Sequence, residues 1–445
     1  MKKALRGVSH CLCALILVGC APLQATSKAT ADTAQDEPSP TPSAGISASP
    51  IPPSPTVTDS TETTTLPETQ VSKPALTAVV RGTPIRPLSP GQTVTITNIQ
   101  MLDPTRGWAI GGVAGSEDHV LITVDGGGTW RDVTPPEPAE TKDEPTKIAH
   151  GHFLDAERAW VTYSHEDIYR IPHPVVIWRT EDGGETWQAS EALDFEDVAE
   201  FYVPSALYFV DDLHGWILVH LGAGMSHDYV ALLRTTDGGI FWERAVEPGG
   251  EYIQLCSKTG LVFADTQNGW LTRDCVGVME GAFVDQTSDG GQTWSPTQLP
   301  APINEPGLLE TPSACGTYFP TLFSPEFGMV VVTCMKLEGD VLTPTEFLYT
   351  TMDGGRSWQT NPFPGGALWM LTPDVGWALG RNIYLTKDSG NSWTKVKTIN
   401  WDGQFSFVSK HLGWAVARNE GEIALVRTTD DGNLWVQLEP EVTRE

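Results

Sequence analysis

The side chains with chemistry to offer are spread along this sequence rather than gathered in one motif. Carboxylates stand in loop-like stretches at Asp194, Glu196, Asp197, Glu247, Glu305 and Glu310. Any two that converged across a cavity would supply the acid and base of glycoside hydrolysis. Six of the ten histidines (His150, His152, His165, His173, His220 and His227) fall in stretches of the second and third repeat units read as loops. Imidazoles bind metals or move protons, but no tight ligand spacing links these six, so neither metal nor cofactor is expected; His150 and His152 are kept as ligand-contact candidates. Trp401, beside Asp402, offers an indole for stacking, and Tyr169-Arg-Ile-Pro172 an arginine able to grip a carboxylate. A glycine-rich phosphate loop, a Gly-x-Ser-x-Gly elbow and a His-Glu-x-x-His helix are all missing.

Seven further carboxylates recur in one phrase. Thr123-Val-Asp-Gly-Gly-Gly-Thr-Trp130 returns six times with its aspartate at Asp182, Asp237, Asp289, Asp353, Asp388 and Asp430. The copies close on Trp187, Trp242, Trp294, Trp358, Trp393 and Trp435, with Phe241 and Leu434 replacing the second hydroxyl in two of them. An aspartate that accepts hydrogen bonds from the backbone just ahead of it closes a tight turn. The glycine tolerates positive φ, and the tryptophan opens the next strand as an apolar plug. These aspartates are read as builders of turns, not as catalytic acids.

A second phrase, an apolar strand, a polar turn and then Gly-Trp, precedes each copy: Gly107-Trp108, Ala159-Trp160, Gly215-Trp216, Gly269-Trp270, Gly328-Met329, Gly376-Trp377 and Gly413-Trp414. Each unit therefore reads as strands A to D, with the second phrase opening B and the Asp turn joining C to D; no helical period is sustained. A fixed sequence repeat marks an array of structural units. Seven four-stranded units around an axis make an all-β, seven-bladed β-propeller. Its blades fall roughly at 95–136, 146–190, 202–246, 252–298, 315–361, 365–396 and 403–440. The run Thr77-Ala-Val-Val-Arg81 is expected to add a strand to the last blade. The long D–A and B–C connections (Pro135–Thr146, Ser190–Pro204, Leu299–Ala314 and Lys336–Thr345) share one face, where function is expected. Four cysteines form two pairs, Cys256–Cys275 and Cys315–Cys334, each 19 apart and placed thirteen before and six after a strand-B glycine. That placement faces the two sulfurs across adjacent strands and predicts two disulfides.

The repeated phrase resembles the Asp-box, or BNR, repeat of β-propellers. With the Gly-Trp phrase before it, the chain is most similar to the photosystem II stability/assembly factor group. That resemblance implies a non-enzymatic propeller on the exported side of a membrane, binding a protein or glycan and assisting assembly or stability of a membrane complex. Members acting in photosystem assembly are described by a basic patch, whereas this chain carries a net charge of −28. Tyr169-Arg-Ile-Pro172 matches a sialidase signature, but lies eight residues before Thr180 in a B–C loop, so it is read as coincidence. The alternative function is a glycan-active hydrolase of sialidase or glycoside-hydrolase type; xyloglucan-cleaving relatives carry two such propellers, and this length suffices for one.

The N-terminus addresses the chain. Lys2, Lys3 and Arg6 precede a short apolar run, and residues 1–19 read as a signal peptide. Leu17-Val-Gly-Cys20 resembles a bacterial lipobox, which implies lipidation of Cys20, export, and anchoring on the outer side of a bacterial cell membrane. Residues 20–77 are rich in Pro, Ser, Thr and Ala and read as a disordered tether to a monomeric propeller at 78–445. The acidity argues against nucleic acid and against docking on anionic lipid, leaving the anchor as the membrane contact.

Overall fold

The computed structural model describes residues 80–444, except 140–145, 173, 196–198, 225–226, 248–252, 276–277, 310–314 and 339–340. The expected signal peptide, the expected lipidation site Cys20 and the expected tether lie outside the described residues. Consecutive strands form antiparallel meanders of four. The first is β1 (Thr95–Met101), β2 (Gly107–Gly112), β3 (His119–Thr123) and β4 (Thr129–Asp132). Next come β5 (Lys147–Phe153), β6 (Ala159–His165), β7 (Ile177–Thr180) and β8 (Gln188–Ala189), then β9 (Val203–Phe209), β10 (Gly215–Ala223), β11 (Asp228–Thr235) and β12 (Glu243–Val246). The fourth meander is β13 (Ser257–Phe263), β14 (Gly269–Asp274), β15 (Phe283–Thr287) and β16 (Ser295–Gln298). It joins β17 (Cys315–Leu322), β18 (Gly328–Glu338), β19 (Val341–Thr351) and β20 (Gln359–Pro362) through the single pair Asp274–Gly316. The last two are β21 (Ala367–Met370), β22 (Gly376–Leu379), β23 (Asn382–Thr386) and β24 (Thr394–Thr398), and β25 (Asp402–Phe407), β26 (Gly413–Asn419), β27 (Glu422–Thr428) and β28 (Val436–Gln437).

First strands neighbour one another from β5 through β9, β13 and β17 to β21, and β25 returns to β1. The fold is a β-propeller. Closure differs from the expectation placed on Thr77–Arg81. A strand at the other end, β29 (Glu441–Val442), pairs in parallel with β4, so the extra strand sits on the first meander and not the last. Gly91 and Val94 donate their N–H groups to Val442 and Pro440 at 2.9 and 3.0 Å, bracing β29 from its other side. Of the expected run, residues 77–79 lie outside the described residues, and Val80 packs on the core shared by the first two meanders. Lys336–Thr345, expected as a loop, is mostly strand: β18 and β19 stay paired out to Glu338–Val341.

The repeated turn is closed by its own side chains. Thr123 Oγ1 donates to Asp125 Oδ1 (2.9 Å) and accepts the Gly127 N–H (3.0 Å). Asp125 Oδ1 accepts the N–H groups of Gly128 and Thr129, and Oδ2 takes the Thr129 hydroxyl at 2.8 Å. At the residue after the aspartate, five copies carry glycine at positive φ, while Ser389 and Asp431 hold φ of 59° and 65°, a region that disfavours side chains.

The Gly-Trp phrase makes the seams. Trp160, Trp216 and Trp414 each send Nε1–H to a turn carbonyl of the next meander: Gly238 (2.8 Å), Gly290 (2.8 Å) and, across the closure, Gly126 (2.9 Å). Their rings also fill the seam; Trp160 stacks on Phe209 and Trp216 on Phe263, both at 3.6 Å. Gly215 must lack a side chain, because a Cβ there would lie 2.4 Å from the Phe209 ring.

Candidate binding face

The seven turn aspartates are occupied within their own turns. The Thr186 hydroxyl and N–H hold Asp182 down to about 2, and Ser357 does the same for Asp353. Trp130 and Trp242 point Nε1–H back at Gly127 and Gly239 of the same turn, whereas Trp187 reaches the Val133 carbonyl. Trp294 and Trp358 repeat the first pattern on Gly291 and Gly355, while Trp393 and Trp435 pack into the later seams. A second set of acids, missed in the sequence, caps the A–B turns. Asp103, Asp155, Asp211 and Asp265 each accept two backbone N–H groups, and each stands four residues before the Gly or Ala that opens strand B. That fixed offset was the signal available.

Both disulfides are present. Cys315 and Cys334 are directly opposed in β17 and β18, with Cα atoms 4.1 Å apart; Cys256 and Cys275 flank β13 and β14 at 4.8 Å.

The histidines correct the loop expectation. His150 and His152 lie in β5, an inner strand, because Lys147–Phe153 keeps full register with β6. His150 Nε2 meets Ser164 Oγ at 2.8 Å, while His152 packs against Trp160, Tyr208 and Phe209. Burial holds both imidazoles neutral, with pKa values lowered to about 4. His220, in β10, bonds Asp228 at 2.8 Å; His165 ends β6, and His173 lies outside the described residues. Trp401 is half-buried, stacked on Phe405 and edge-on to Trp435 at 5.7 Å, so it wedges the last two meanders together and does not stand clear as a platform.

Of the loop carboxylates, Glu247 pairs with Arg244 (3.2 Å) and Glu305 with Lys336. Asp194 is exposed on its loop, and Glu196, Asp197 and Glu310 lie outside the described residues. The structure brings forward acids that the sequence hid. Glu117 is half-buried beside β5; burial raises its pKa, Arg418 opposes the rise and Glu166 adds to it. Between the third and fourth meanders, Asp228 accepts the Lys258 N–H, and within the fourth, buried Arg273 pairs with buried Asp285 at 3.0 Å. Burial lowers Lys258 to about 8, with Asp228 and Asp285 opposing. Another buried pair holds Glu137, after β4: Lys147 Nζ meets Glu137 Oε1 at 2.5 Å, and Trp178 Nε1–H donates to Oε2 at 2.8 Å.

Among the described residues, the loop face exposes apolar side chains at several places, Ile303 among them, but aromatic ones gather on the second and third meanders. The loop after β6 exposes Ile168 and Tyr169, the latter 71% accessible, and Tyr169 meets Phe201 of the β8–β9 loop edge-on at 6.2 Å. The Tyr202 N–H donates to the Ile168 carbonyl at 3.1 Å. Fully buried Tyr202 in turn contacts the Thr162 hydroxyl at 3.3 Å, so both loops stand on the core. Arg170, from Tyr169-Arg-Ile-Pro172, is exposed on this loop and belongs to no inner strand.

No protein-family model matches the chain, and no curated protein does. Solved structures similar to it include YCF48 bound to D1 peptide, 18% identical over 78% of this chain and 97% of that one, TM-score 0.48. The GH74 enzyme of Niastella koreensis is 11% identical over 77% and 71%, TM-score 0.27. An α-L-arabinofuranosidase of Fusarium graminearum in complex with an iminosugar inhibitor is 13% identical over 63% and 92%, TM-score 0.40.

Proposed function

We propose that this chain is a non-enzymatic, seven-bladed propeller that binds a protein or glycan partner on its D–A/B–C loop face, as a monomer. A lipid on Cys20 holds it on the outer side of a bacterial cell membrane, where it serves assembly or stability of a membrane complex. The observation that carries the reading is exposed Tyr169 meeting half-buried Phe201 on loops braced by the core. Exposed aromatic anchors on a rigid scaffold suit binding. A second reading, the glycan-active hydrolase, draws support from Glu117, a half-buried carboxyl whose pKa is raised by burial, with the Glu166 charge adding to the rise. The test is a pull-down and glycan-array screen with the full chain, each bound glycan being retested for turnover. Binding without turnover is expected. Cleavage lost on Glu117→Gln would transfer the protein to the hydrolases.

A further inference from the structure

The aromatic surface on the second and third meanders continues beyond exposed Tyr169 and half-buried Phe201. Glu200, next to Phe201, reaches over Gly222, where a Cβ would sit 3.5 Å from its carboxylate and 3.3 Å from the Tyr229 ring. Tyr229 is 38% accessible and lies nearly parallel to His227, centroids 6.0 Å apart at 16°. The ridge thus runs Tyr169, Phe201, Glu200, Tyr229, His227, with exposed Glu166 and Asp167 beside its first ring. Backbone bonds fix its course: Glu200 and Phe201 both donate N–H to the Leu221 carbonyl, at 2.7 and 3.2 Å, and Gly224 donates to the His227 carbonyl at 2.8 Å.

Ring geometry and charge together select the partner's chemistry. A sugar ring stacks best on a broad flat face, but Tyr169 and Phe201 stand at 89° and leave a step between them. A step with one aromatic face and one edge accepts a side chain inserted end-on. The rim carries Glu166, Asp167 and Glu200 against Arg170, on a chain of net charge −28. Such a rim attracts cations and repels acidic partners, and an ammonium or guanidinium over a tyrosine face gains further by cation–π attraction. We infer that the Tyr169–Tyr229 ridge docks a peptide segment in which lysine or arginine alternates with an apolar side chain. The cation would meet Glu200 and the tyrosine faces, while the apolar group enters the step beside Phe201. This inference rests on the binder reading above and narrows it to a peptide.

The test uses the full chain and a fluorescein-labelled peptide of repeated Arg-Leu-Ser triplets, with Glu-Leu-Ser triplets as the counterpart, read by anisotropy. Tyr169 and Glu200 are exposed, so Tyr169→Ser and Glu200→Gln should leave the fold intact. The arginine peptide is expected to bind and the glutamate peptide to fail. Tyr169→Ser should weaken binding about tenfold or more, Glu200→Gln severalfold, and Glu181→Gln, on the opposite turn face, not at all. Raising salt to about 0.3 M should weaken it further. Equal binding of the two peptides, or affinity unmoved by both ridge substitutions, would overturn the assignment. A native partner captured equally well by the Tyr169→Ser chain would remove the ridge while leaving the binder reading in place.

Discussion

Two tryptophans at equivalent places in the repeat differ by one hydrogen bond, which makes the seam bond measurable. Trp216 and Trp377 both open strand B, are almost wholly buried, and stack on the closing phenylalanine of the next first strand: Phe263 at 3.6 Å and Phe407 at 4.0 Å. Trp216 Nε1–H donates to the Gly290 carbonyl at 2.8 Å, whereas Trp377 Nε1 has no partner among the described residues. Replacing each by phenylalanine removes similar volume and retains the stack. Trp216→Phe additionally orphans a buried carbonyl, which costs about 1–3 kcal/mol. Trp377→Phe deletes a donor that had nothing to satisfy, so it should show the volume loss alone. The difference between the variants is therefore expected at about 1–3 kcal/mol, roughly a 5- to 150-fold change in the unfolding constant. Urea denaturation followed by tryptophan fluorescence and by far-ultraviolet dichroism gives both values under one condition, and coincident transitions validate the comparison. Equal destabilisation, or a larger loss for Trp377→Phe, would refute the claim that the indole bond holds the seam.

Stability should fall in two steps on acidification. His150 and His152, lowered to about 4 when folded against an ordinary 6.5, bind fewer protons than in the unfolded chain, so the first loss runs from about pH 6.5 towards 4. Asp182 and Asp353, held near 2 against 3.8, add a second loss between about pH 4 and 2. Melting temperatures from pH 8 to 2 read both steps, and a His150→Gln, His152→Gln chain that kept the first would contradict the assignment. Gly215→Ala should cost about 1–3 kcal/mol by forcing the Phe209 ring off its site, as scored by urea midpoint. Replacing Cys315 and Cys334 by alanine should cost about 3 kcal/mol for a loop closed across 19 residues, measured as a lowered melting temperature without reductant.

What the sequence made legible was local. The Thr-x-Asp turn needs only neighbours within four residues, so Thr123, Asp125 and Thr129 announce it in a single phrase. The cysteine pairs were legible because β17 and β18 are consecutive strands of one hairpin. The indole-to-carbonyl bonds were not, since Trp216 and Gly290 stand 74 residues apart and Trp414 and Gly126 stand 288 apart. Closure was hidden because a two-residue strand carries no periodicity. His150 and His152 misled because polar residues on an inner strand look like loop residues when only the register with β6 distinguishes them. The ridge escaped notice because Tyr169 and Phe201 come from separate loops and meet only after both meanders form.

The turn glycines carry a consequence for how such a ring can be cut and recombined. Gly126, Gly183, Gly238, Gly290 and Gly354 each have their carbonyl held by a donor from the preceding meander, namely Trp414, Arg131, Trp160, Trp216 and Gln286. Where the glycine gives way to Ser389 and Asp431, the preceding meanders offer Met329, which has no donor, and the unpartnered Trp377. At these two junctions donor and acceptor are both altered, so the junction is a structural unit in its own right. A chimera that exchanges any one of the first four meanders severs two such donor–acceptor couples at once. A graft whose ends fall in mid-meander, carrying an indole together with the turn it serves, would pass each couple on intact.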